Sequence, residues 1–226
     1  MKKLLVSFSV LAMVIAFASC KKNNPGPATT ANVTFVNGCA GVANTDISVN
    51  STKLVAASNL AFLKSSGYQP ITAGTSVVFA FGITTTGTPL NSATESITAG
   101  SNYYSAFSAG IVTNTALVFT SDDLSAPAAG MAKVRFINLS ADPLNTSCYI
   151  GSAKLDSNIA YKAYTPFFNV APTTAKIAMI DQTVLTSSGE ISGQQIVAGK
   201  IYTFMLTGTS SGTLTSQLTL TPISNN

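Results

Sequence analysis

Any proton transfer or nucleophilic attack in this 226-residue chain would have to proceed without histidine, because the sequence contains none. That removes Ser-His-Asp and Cys-His arrangements and every zinc site that relies on imidazole. The work would fall to eight carboxylates, Asp46, Glu95, Asp122, Asp123, Asp142, Asp156, Asp181 and Glu190. They are thinly spread, and a glycosidase-type pair could meet only through the fold. Only Asp122 and Asp123 are adjacent, in a stretch that reads as a linker, where capping or hydrogen bonding to nearby backbone is the expected role. With Ser125 they lack the Asp-x-Asp-x-Asp-Gly spacing of a calcium loop. The residues predict no enzyme, no catalytic residue, no metal site and no cofactor.

Two further groups could carry chemistry. Cys39 falls in the loop after the first strand of one repeat and Cys148 in the second strand of the other, so no bridge between them is expected. The densest aromatic run is Tyr161-Lys162-Ala163-Tyr164-Thr165-Pro166-Phe167-Phe168, followed by Asn169. Half of it must face inward if Phe167 to Val170 is a strand. Tyr164 precedes Thr165-Pro166, where proline interrupts regular pairing and a turn is expected, so its ring is the one expected to stay exposed. Tyr161 aligns with Phe62 and is expected in the core. Tyr164, with Lys162 beside it, is therefore the candidate ligand-contact surface.

The formal charge of +4 comes from the start of the chain, where Lys2, Lys3, Lys21 and Lys22 lie. From Ala31 onward eight basic residues face eight acids. A neutral body with scattered cations offers no stripe for phosphates, so no nucleic-acid partner is expected. Met1 to Lys3 form a basic n-region, Leu4 to Phe17 an apolar h-region, and Phe17-Ala18-Ser19-Cys20 ends it with small residues before a cysteine. Residues 1–19 thus resemble a bacterial lipoprotein signal, with Cys20 the lipidated residue and residues 20–30 a tether rich in Lys, Asn, Pro, Gly and Thr. Lys21 rather than Asp after the cysteine favours the outer membrane by that resemblance, with the periplasmic or extracellular face left open. The partners this implies are the membrane, through the lipid, and an envelope protein or glycan.

The elements that would position these residues come from an internal repeat. Asn32-Val33-Thr34-Phe35-Val36-Asn37 matches Lys133-Val134-Arg135-Phe136-Ile137-Asn138, Ser58-Asn59-Leu60-Ala61-Phe62 matches Ser157-Asn158-Ile159-Ala160-Tyr161, and Ala99-Gly100 with Tyr103 matches Ala198-Gly199 with Tyr202. Val134 and Phe136 alternate with Lys133 and Arg135, as Leu218 and Leu220 do with polar neighbours, which is the period of half-buried strands. Gly, Asn, Pro and Ser clusters punctuate them. The expected fold is all-β: two tandem immunoglobulin-like antiparallel β-sandwiches, over residues 31–124 and 131–226 with a linker at 125–130, touching end to end and each able to fold alone. A transthyretin-like arrangement fits the same pattern.

Lys133 to Asp142, then Asn158-Ile159-Ala160-Tyr161 with Tyr164-Thr165-Pro166, then Ala198-Gly199-Lys200-Ile201-Tyr202-Thr203, resemble the DUF4397 family, with the first repeat a diverged relative. The resemblance implies envelope lipoproteins of the Bacteroidota type, a sandwich fold and no assigned chemistry. The function expected is non-enzymatic, in binding, adhesion or structural support. The alternative is a carbohydrate-binding component of a glycan-uptake or adhesion system.

Overall fold

The computed structural model describes residues 29–142, 144–183, 188–213 and 217–225. The signal, Cys20 and all but the end of the tether lie outside the described residues. The first sandwich has one sheet ordered β5 (Ser65–Thr72), β1 (Thr30–Asn37), β8 (Tyr103–Ile111), β9 (Asn114–Asp122). Its other sheet is ordered β3 (Thr52–Lys53), β2 (Asn44–Val49), β6 (Gly74–Ile83), β7 (Pro89–Ile97), with β4 (Leu60–Ala61) also on β2. The second sandwich repeats this plan. One sheet is β13 (Phe168–Val170), β10 (Ala132–Asn138), β16 (Ile201–Thr207), β17 (Thr219–Ser224), and the other β12 (Ala153–Ile159), β11 (Thr146–Ile150), β14 (Thr173–Asp181), β15 (Ser188–Ile196).

The chain is all-β and built of sandwiches, as the alternation predicts. β1 runs parallel to β8 and β10 parallel to β16, while the other strand pairs are antiparallel. The first two long strands of each repeat go to opposite sheets, whereas the constant-type immunoglobulin order keeps them together. Of the two arrangements expected, the transthyretin-like one fits. Each sandwich has its own core: Val33, Phe35, Phe79 and Phe81 in the first, Val134, Phe136, Met179 and Phe204 in the second.

A second side of the same strands is also buried. Val36, Phe107, Ala109 and Val118 from the first sandwich meet Ile137, Leu139, Met205 and Ile223 from the second in a third apolar cluster. The sandwiches therefore pack sheet face to sheet face in a four-layer stack, not end to end. Burying each of the larger side chains stabilises by about 1.5–3 kcal/mol. Summed over the cluster, that is comparable with the 5–15 kcal/mol or so that holds a whole domain folded. A repeat cut from its neighbour would expose this cluster to water.

Register explains the shared residues. Asn37 Nδ2 donates to the carbonyls of Val42 and Leu60, and Asn138 Nδ2 to those of Leu144 and Ile159. Both amides are fully buried, and each bridges a carbonyl of the loop after its own strand to the carbonyl of a strand residue, Leu60 or Ile159, that the hydroxyl of Thr45 or Thr146 also reaches. One alignment needs correction. β1 sets Val33 beside Tyr104, as β10 sets Val134 beside Tyr202, so Tyr202 corresponds to Tyr104 rather than Tyr103. The phenols agree: Tyr104 Oη accepts from the Thr98 amide and Tyr202 Oη from the Val197 amide. Tyr103, one residue away and so on the other face, packs edge-on against Tyr68 at 5.1 Å.

Candidate functional site

The interface between the sandwiches contains a buried polar cluster. Arg135, expected on an outward face, is buried there, its Nη1 2.7 Å from Asp122 Oδ1. Its Nε donates to Thr203 Oγ1 at 2.9 Å, Nη1 to Thr120 Oγ1 at 3.0 Å and Nη2 to Ser105 Oγ at 3.2 Å. Asp122 accepts from Tyr68 Oη at 2.6 Å, Ser105 Oγ at 2.5 Å and Thr120 Oγ1 at 3.1 Å. Thr203 donates to Asn225 Oδ1, and Asn225 Nδ2 donates to Tyr68 Oη, which closes a ring of hydrogen bonds. The rings of Phe107 and Phe167 lie 5.8 and 4.7 Å from the guanidinium carbon. Burial, and then the charge of Asp122, push the Tyr68 phenol above its ordinary range. A buried pair this well satisfied fixes geometry, and every hydroxyl in it both donates and accepts.

Asp122 is thus the last residue of β9 and part of the interface, not a linker carboxylate. Asp123 has the expected local role: it accepts from the Ser125 amide and hydroxyl, and from Lys133 Nζ at 2.8 Å. Those bonds, led by Lys133, hold its carboxyl down at about 2. Among the described residues no three His, Cys, Asp or Glu side chains gather as a metal site would need. Cys39 and Cys148 are free and buried, and burial raises their thiols to about 11 and about 12, away from nucleophilic thiolate.

At the other end of β8 and β9 from this network, one rim of the interface forms an open groove of about 600 Å³. Asn114, at the β8–β9 hairpin of the first sandwich, forms one wall. Ala141, Leu144, Asn145, Asn158, Ala160 and Tyr161 of the second form the other. Asn138 organises that wall, since the carbonyls its buried amide binds belong to Leu144, in the β10–β11 loop, and Ile159, at the end of β12. Asn145 Nδ2 donates to Asn158 Oδ1 at 3.2 Å, which orients both amides. Asn158 has φ 62°, a left-handed conformation that asparagine tolerates better than most residues.

Tyr161 joins the groove to the interface. Its ring packs on the middle apolar cluster rather than in the core of its own sandwich. Its buried Oη has no hydrogen-bond partner, and burial raises this phenol too. Tyr164 is 47% exposed, as expected, opposite Ile137 at the sheet edge. The turn expected at Thr165-Pro166 is instead an interruption in an edge strand: Thr165 Oγ1 accepts from the Phe136 amide, and pairing resumes at Phe168. Lys162 is exposed with φ 70°, its amide donates to the Asn138 carbonyl, and its Nζ stands 5.4 Å over the Tyr161 ring. Neither Tyr164 nor Lys162 is among the groove residues. Sequence reasoning missed Asn114, Asn145 and Asn158 as a group, because only the stacking of the two repeats brings the first to the others.

The description "Domain of unknown function (DUF4397)" matches residues 31–147. The chain belongs to this family. The DUF4397 match takes in the whole first sandwich, the connector, β10 and the start of β11, and so falls mainly on the repeat expected to be the more diverged. No curated protein matches. Among solved structures the chain is similar to a "putative cell adhesion protein" from Bacteroides uniformis, at 11% identity, covering 89% of this chain and 98% of that one with a TM-score of 0.28. A likeness that distant carries no weight for function. Among the described residues no helix is long and apolar enough to cross a membrane.

Proposed function

We propose that this DUF4397 protein is a non-enzymatic envelope lipoprotein, held to the outer membrane through Cys20, whose two sandwiches act as one rigid binding unit in adhesion or support. The observation that carries the binding half is the groove built jointly by both sandwiches. Ligand sites favour such domain junctions, and this one is held in shape by a buried interface. Among the described residues its lining contains no carboxylate, Lys, Arg, Ser or Cys, so these residues offer hydrogen bonds and apolar contact but neither a charged acid–base pair nor a nucleophilic serine or thiol. The anchoring half rests on the signal-like start of the sequence and the cysteine that ends it.

Two measurements test the two halves. Cys20→Ser is expected to move the protein from the membrane to the soluble fraction, and retention in the membrane would refute lipid anchoring. The full chain is expected to bind isolated envelopes saturably, with Asn158→Gly, which keeps the left-handed backbone at that position, weakening it while the chain stays folded. Binding that does not saturate, or that ignores the groove variant, would refute the binding half.

A further inference from the structure

We propose that the groove between the sandwiches binds a neutral, hydroxyl-rich ligand, a segment of uncharged glycan. The inference rests on the binding reading above and names its ligand class. Its basis is the donor and acceptor pattern of the lining. The hydrogen bond from Asn145 to Asn158 uses one donor of the first amide and the oxygen of the second. It leaves the Asn145 oxygen as an acceptor and the Asn158 nitrogen as a donor, side by side. A sugar hydroxyl both donates and accepts, so two neighbouring hydroxyls complement that pair. Asn114 presents a third carboxamide from across the groove.

The remaining lining residues supply Leu144, Ala141, Ala160 and the Tyr161 ring, apolar surface of the kind that meets the C–H face of a pyranose. Among the described residues none that lines the groove is charged. An anionic polymer would find no bidentate guanidinium, and a cationic peptide would find no carboxylate. The volume of about 600 Å³ lies within the range of small-ligand sites and accommodates a few sugar residues. The site is also preformed. Asn138 ties the β10–β11 loop to the end of β12, Gly110 N donates to the Leu139 carbonyl across the interface at 3.0 Å, and Tyr161 is wedged against Gly110. Little ordering entropy is therefore lost on binding.

The test uses the full chain purified in a detergent without a sugar headgroup. It is titrated against a panel of fluorescently labelled neutral oligosaccharides built from hexoses, deoxyhexoses and N-acetylhexosamines, with a uronic-acid oligosaccharide and an extended neutral peptide as comparisons. Binding of at least one neutral oligosaccharide is expected, weakened roughly 2- to 10-fold by either Asn114→Ala or Asn158→Gly, the glycine keeping the left-handed backbone at 158, the effect of losing one net hydrogen bond. The melting temperature should not move, and Glu95→Gln, on β7, should leave binding unchanged. Three results would each overturn the proposal: no neutral oligosaccharide binds, the uronic-acid chain or the peptide binds more tightly than all of them, or binding survives both asparagine substitutions. If the saccharides fail while saturable binding to envelopes persists, the ligand class is wrong and the binding reading stands. If both fail, the binding reading falls with it.

Discussion

The phenol of Tyr161, from the second sandwich, ends against Gly110 of the first, where a β-carbon would stand 2.8 Å from its oxygen and 2.1 Å from the Asn114 carbonyl oxygen. Gly110 also has φ +87°, so a side chain there is strained before any contact is counted. Gly110→Ala should destabilise the chain by about 2 kcal/mol or more, combining backbone strain with overpacking. Tyr161→Phe should change stability by less than about 1 kcal/mol, because the buried hydroxyl has no partner to lose. Urea unfolding of the two variants checks both.

Arg135 and Asp122 give a sharper contrast. Arg135→Met leaves the carboxylate buried without its cation and should cost about 3–5 kcal/mol. Adding Asp122→Leu removes the orphaned charge, so the double variant should recover much of that loss. A double variant less stable than Arg135→Met would show that the polar ring is worth more than its apolar replacement.

Removing the first sandwich should be worse than either. A fragment from Met131 to Asn226 exposes Ile137, Leu139, Met205 and Ile223 and strands Arg135. It is expected to aggregate or to lack a cooperative transition, whereas the intact body should melt as one unit by calorimetry. Independent, reversible unfolding of the fragment would contradict the interface energetics.

Acid should weaken the fold through Asp123 and Asp46, whose carboxyls lie below the ordinary 3.8 because of Lys133 and Lys53. A carboxyl titrating lower in the folded chain contributes stability that is present above about pH 4 and lost as pH falls toward 2. Asp123 is largely solvated and Asp46 partly so, and both pairs lie at the surface, so the effect is modest. Asp123→Asn should reduce the difference in urea midpoint between pH 5 and pH 2.5, and an unchanged difference would refute the assignment.

Tyr164→Ala should alter stability by no more than about 1 kcal/mol, since the ring is half exposed and belongs to no buried cluster. A large fall in melting temperature would show that it packs more tightly than its exposure indicates.

The alternation of Val33 and Phe35, and of Val134 and Phe136, made the sandwiches legible, because one buried face imposes period two. The stack was not read, although a signal existed. Phe35-Val36, Ala106-Phe107, Phe136-Ile137 and Phe204-Met205-Leu206 are apolar on consecutive positions, as strands covered on both faces are. Arg135 hid the pattern, since a cation at an outward position reads as solvent-facing. The aromatic run pointed to the right region, but Tyr161 and the asparagines, not Tyr164 and Lys162, line the groove. The slip at Tyr103 has the same root: pairing partners, not spacing, decide which face a residue takes.

The repeat also bears on which surfaces can find each other. By strand register Arg135 corresponds to Thr34, and Asp122, beside Tyr103, corresponds to Asn225, whose amide donates to the Ile201 carbonyl. The cation is therefore found only in the second half and its carboxylate only in the first. Two second halves, joined in the same way, would bury two guanidinium groups opposite Asn225 with no counter-ion. Two first halves would bury two carboxylates opposite Thr34. Each half thus discriminates against its own duplicate, and the charge pair directs a first half to a second half rather than like to like.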